Sequence, residues 1–247
     1  MSGDHLPAAR ILAHLDTVTQ LRAARQGDPA LQARVQALKA YQARRFSLTY
    51  ADLLASARYG AAARFFLDEL YGPQEFAQRD AQFARVVPAL VKLFPDEVVH
   101  TVAQLGQLHA LSEALDDQMA RQLTGPNLGP TDYLRAWQAT GREDARRQQI
   151  TLTLQVGQTL DRLTRKRMLR TTLRLMRGPA EAAGLADLQR FLESGFDAFG
   201  AMQGAAEFLA WVNEREQALV SALFAADAKA PARGVLALLP ARAPALA

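Results

Sequence analysis

Apolar residues recur at intervals of three and four almost throughout this chain, and that spacing admits one fold class. Ile11, Leu15 and Val18 open the pattern, Leu31, Val35 and Leu38 repeat it, and Phe208, Leu209, Val212, Leu219 and Leu223 close it. Between them stand Ala, Leu, Arg, Gln and Glu, all helix formers, and no stretch keeps the two-residue alternation of a half-buried strand. The pattern predicts an all-α protein, a compact multi-helix bundle of about eight or nine helices. At 247 residues the chain could bury about three quarters of its unfolded surface, enough for a full core without covalent staples.

Punctuation divides the pattern. Gly27, Asp28 and Pro29 read as stop, N-cap and first turn, so one helix spans about 7–26 and the next ends near Arg44 and Arg45. Ser47 or Thr49 caps a third, which Gly60 bends. Gly72 and Pro73 stop a helix at Tyr71 and start another at Pro73. Thr124 to Pro130, TGPNLGP, is the clearest internal loop and the best sub-boundary. Thr140 with Glu143 is a capping-box pattern opening a long basic helix over 142–177. Gly195, Gly200 and Gly204 imply close backbone approach or a break. The expected organisation is one helical domain over 1–224, followed by an Ala- and Pro-rich tail, 225–247, read as disordered.

Phe65 to Pro95 carries the densest information. From Phe76, the positions Phe83, Val86, Val87, Leu90 and Phe94 form one helical stripe, with Pro88 expected to kink or shorten it. Arg79 and Asp80 lie on that stripe. His109 and Asp116 fall on the stripe of the next helix, and Glu216 on that of the last. An isolated buried charge costs several kcal/mol, so these five must either meet one another or line a ligand cavity. The structural reading pairs Arg79 with Glu216 or Asp116 and gives His109 a hydrogen bond to Ser112 or Asp116. The alternative is a helical enzyme or a small-ligand protein of haem or metal type.

Two blocks, FFLDELYGPQEFAQRD (Phe65 to Asp80) and FLESGFDAFGAMQGAAEFLAWVNERE (Phe191 to Glu216), resemble an uncharacterised family of all-helical bacterial proteins. The resemblance implies a helical fold and brings no activity and no catalytic residue.

Other chemistry is thinly signalled. Glu97 and His100 form a single E-x-x-H, half of what a di-iron bundle requires, with no second copy. His109 is the better-placed haem ligand, although a lone histidine on an apolar stripe is usually a hydrogen-bonded core residue. No cofactor is predicted and catalysis is not favoured, since phosphate-binding, nucleophile-elbow and zinc-protease motifs are all missing. With no cysteine, disulfides and thiolate chemistry are excluded. The early Asp4 argues against a signal peptide, and no window approaches the roughly 20 apolar residues of a membrane span, so a cytoplasmic protein is expected.

The net charge of +4 is local in origin: Arg142 to Arg177 holds ten Arg and Lys against three acids. Arg162, Lys166, Arg170, Arg174 and Arg177 are expected on one face, opposite an apolar side of Leu160, Thr164, Met168, Thr171, Thr172 and Leu175. Such a face is either solvated or meets an anionic partner, namely an acidic protein, a membrane surface or, less favoured, nucleic acid, for which reading aromatics are missing.

Overall fold

A computed structural model describes residues 5–70 and 77–242. Thirteen α-helices and one π-helical turn occur among the described residues, and no strand. The first break works as the sequence implies: α1, His5–Gln26, stops before Asp28, whose carboxylate accepts from the Leu31 amide and caps α2, Pro29–Thr49. α2 runs on past Arg44 and Arg45. Then come α3, Ala51–Ala55, α4, Gly60–Phe65, and the π-helical turn Phe66–Leu70. The expected stop at Tyr71, the Gly72 and Pro73 punctuation and Phe76 lie outside the described residues.

α5, Ala77–Leu93, passes through Pro88 without ending there. Its stripe fades toward the C-terminal end: Val87 is fully buried, whereas Phe94, expected inward, is exposed. α6, Asp96–Arg121, is followed by the expected loop and by α7, Pro130–Thr140, where the Asp132 carboxylate accepts from the Gly129 amide. The Thr140 to Glu143 capping box does not form. Thr140 ends α7 with its hydroxyl donating to the Ala136 carbonyl, and Gly141 turns the chain at φ 60°.

The long basic helix is three pieces, α8, Glu143–Thr164, α9, Arg167–Leu175, and α10, Arg177–Ala182. A turn at Lys166, whose amide donates to the Leu163 carbonyl, resets the helical phase. The apolar side of α8 therefore does not continue into α9, and Met168 and Leu175 are 82% and 74% exposed. α11, Ala186–Ala201, α12, Ala206–Ala225, and α13, Arg233–Leu236, complete the order. The excess over eight or nine helices consists of α3, α4, α10 and α13, each of six residues or fewer.

The tail expected to be disordered from Ala225 is placed as far as Arg242. Leu239 is buried in the core, and the Tyr41 hydroxyl donates to the Pro240 carbonyl at 2.8 Å. Residues 243–247 lie outside the described residues.

Apolar burial falls into three clusters. One gathers α2, the end of α6, α7, α12 and Leu239 around Tyr41, Met119, Tyr133 and Leu223. A second joins the end of α2 and the α3 to α4 region to α11 and α12 through Phe46, Phe66, Phe199 and Phe208. A third packs α1 on α5 and α6 through Ile11, Leu15, Val87 and Val99. Helices from both sides of the 124–130 loop share the first two.

The glycines divide as well. A Cβ at Gly195 would lie 2.8 Å from Cζ of Phe65, a buried ring with little freedom to yield, whereas at Gly200 the nearest atom is Thr164 Cβ at 3.9 Å. Gly195→Ala is therefore expected to lower unfolding free energy in urea by about 1–3 kcal/mol. Gly200→Ala is expected to leave it unchanged or raise it by up to about 1 kcal/mol.

Candidate functional site

Where the apolar stripes of α1, α2 and α6 run out, charge takes over. On α1 the spacing Ile11, Leu15, Val18 continues into Arg22 and Arg25, and on α2 Leu31, Val35, Leu38 continues into Gln42 and Arg45. On α6 the same rhythm brings His109, Glu113, Asp116 and Asp117 inward. Packing these helices together forces the charged turns to face one another between the clusters.

Glu113 is the centre. Only 3% exposed, it accepts from Arg25 at 2.5 Å and from Lys39 at 2.5 Å, with Arg22 at 3.6 Å. Burial alone would push its carboxyl up. The charge and hydrogen bond of Lys39 and the hydrogen bond of Arg25 overcome that and hold it at about 2. Arg25 also lies 3.4 Å from Asp117, whose other oxygen accepts a hydrogen bond from Arg121. Arg22 reaches the other way to Asp80 of α5, and the same Asp80 oxygen meets the His109 ring at 2.8 Å. Burial opposes the Asp80 charge, but His109 and Arg22 together keep its carboxyl below the ordinary range.

A second, smaller node lies between the first and second clusters. Glu216, between Val212 and Leu219 on α12, accepts from Arg45 and from the Tyr50 hydroxyl on one oxygen, at 2.5 and 2.8 Å. Asp116 sits between the two nodes and accepts from the Gln42 amide at 3.0 Å. Burial dominates there and pushes its carboxyl up, against the charges of Lys39 and Arg146.

The five inward charges are thus largely buried, as the stripes implied, but the expected pairings are not the ones formed. Arg79 meets neither Glu216 nor Asp116. It lies near the start of α5, where it binds Glu69 of the π-helical turn at 3.1 Å, stacks on Phe191 at 4.4 Å and lies 4.0 Å from Asp80. His109 bonds to Asp80 rather than to its own helix. Ser112 is engaged elsewhere, donating to the Leu108 carbonyl and accepting from Gln149. Sequence reasoning missed Arg22, Arg25, Lys39, Arg45, Glu113 and Asp117. The three-four rhythm of their own helices could have found most of them.

The remaining candidates are tied up at the surface. Glu97 accepts from Arg162 at 3.3 Å and Lys166 at 2.9 Å, whose hydrogen bonds lower its carboxyl, and His100 is exposed. Among the described residues no three His, Asp or Glu side chains are placed to share a metal ion. Arg170 pairs with Asp197 and Arg177 with Glu193 of α11, and Arg174 is exposed with its charge felt by Glu193. Two surface clefts lie apart from the network. One of about 430 Å³ is lined by Arg64, Phe65, Asp68, Glu69 and Asp197, and one of about 300 Å³ by Asp161, Thr164, Arg165 and Gln203. Neither is lined by His109, Glu113 or Glu216.

A family model, a domain of unknown function (DUF8198), matches residues 21–230. The chain belongs to this family. No curated protein and no solved structure matches it. Every charged group of the network, from Arg22 to Glu216, falls within the matched residues, so the network belongs to the DUF8198 part of the chain.

Chemically, the network can hold helices and store charge. Glu113→Gln leaves Arg25 and Lys39 without their shared counter-ion and should cost about 3–5 kcal/mol at neutral pH, read from urea unfolding. Because its folded carboxyl is depressed, the Glu113 contribution is present above its ordinary 4.5 and is lost as pH falls through about 2. The gap between parent and variant should therefore close over that window. Asp116 acts with the opposite sign, its contribution being present below its ordinary 3.8 and lost as pH rises through the raised folded value.

Proposed function

We propose that this DUF8198 protein is a soluble, cytoplasmic, non-catalytic helical binding or interaction protein, and that its inward charges hold its helices together rather than a ligand. One observation carries the reading: Glu113 is closed on by Arg25, Lys39 and Arg22 from two helices, so each of its oxygens is engaged by a cation of the protein. Asp80 and Glu216 each take two donors from the protein on one carboxylate oxygen. A catalytic or cofactor-holding carboxylate needs an open coordination or proton-transfer position on a cavity. His109, the haem candidate, has its Nε2 engaged by Asp80.

The Arg45, Tyr50 and Glu216 node offers the cleanest test. Glu216→Leu alone removes the carboxylate that faces the buried Arg45 and should cost about 3 kcal/mol or more, whereas Arg45→Met, Tyr50→Phe and Glu216→Leu combined should recover most of that loss. Native mass spectrometry of the purified parent should give the mass of the polypeptide alone, and its absorption spectrum no haem band. A small molecule carried by the parent and lost from the triple variant would overturn the reading.

A further inference from the structure

We propose that the outer flank of α9 is a docking surface for an anionic lipid headgroup layer. The proposal rests on the binding-protein reading and names the partner. At 100° per residue, α9 has three flanks: Leu169 and Leu173 on one, Arg170 and Arg174 on another, and Met168, Thr172 and Leu175 on a third. The first is half-buried against the fold, where Gln189 of α11 donates to the Leu173 carbonyl. The third faces solvent, with Met168 82% and Leu175 74% exposed, and Met176 continues it at 49%. Most other large apolar side chains are inside, so these three within nine residues are a concentrated exception.

Charge and shape select the occupant. Residues 161–197 hold eight Arg and Lys against five Asp and Glu, while the whole chain is only +4. Arg170 and Arg177 are half-exposed, each anchored on one carboxylate of α11, and Arg174 is exposed beside them. Apolar side chains beside arginines on one helix, with the cations at the edge, suit the boundary between acyl chains and anionic headgroups. A second copy fits poorly, because three or four side chains fall far short of the roughly 800 Å² per partner that a specific dimer buries. A nucleic acid would use the arginines and leave the Met and Leu side chains in water.

The test is flotation of the full chain with vesicles of phosphatidylglycerol and phosphatidylcholine in equal parts, against phosphatidylcholine alone. Binding is expected to the anionic vesicles only, to weaken as salt is raised, and to fall tenfold or more in Met168→Asp with Leu175→Asp. Both positions are exposed, so the variant should melt with the parent. The uncharged pair Met168→Ser with Leu175→Ser should weaken binding in the same direction if the acidic pair proves unstable. No flotation with either vesicle, equal flotation with both, or undiminished binding by a variant would overturn the proposal. None of those outcomes touches the stability of the Arg45, Tyr50 and Glu216 replacements, so the two readings fail separately.

Discussion

Three cations on one buried carboxylate set the terms for the rest of this structure. Arg22 and Arg25 come from α1, Lys39 from α2 and Glu113 from α6, so no two of these helices can shift against the third without uncovering a charge. Desolvating such groups is expensive, and the attraction among them repays the cost only while the geometry holds. That makes the contact a poor source of net stability and a strong source of register. Apolar contacts are non-directional and fix the register of these helices less sharply.

The placement of the polar nodes follows. α6 leaves the third cluster at Val99, passes the charged turns from His109 to Asp117 and enters the first cluster at Met119. α2 and α12 cross between the first and second clusters where Arg45 meets Glu216. Each node therefore lies at a seam between apolar clusters, and Asp80 extends the larger one to α5. The surface is organised differently. Around α9, Arg170 and the neighbouring Arg177 pair with α11 carboxylates while Met168 and Leu175 stay exposed, and it is there rather than in the interior that we propose contact with a partner.

Much of this was legible in the chain. The three-four rhythm specified an all-helical protein, Asp28 and Pro29 located a real cap, and Glu216 declared itself as a charge inside an apolar stripe. Partners were not legible, because a stripe gives an angle around a helix axis and says nothing of height along the bundle. Arg79 and Glu216 were matched by angle, yet Arg79 lies beside Glu69 and Phe191. The break at Lys166 was equally hidden: residues 162–167 carry four cations and no glycine or proline, so no breaker marks the turn. Leu239 could not be foreseen either, since an Ala- and Pro-rich composition describes a tail without showing the pocket against α2 that receives it.

The central claim is that protein cations, not water or a ligand, hold the Glu113 charge. Carboxyl carbon NMR of the folded chain, titrated with acid and assigned through Glu113→Gln, measures this directly. The account predicts that Glu113 titrates far below its ordinary 4.5, at about 2. Titration at or above 4.5 would mean that burial dominates and the clamp of Arg22, Arg25 and Lys39 is not formed, which would contradict it.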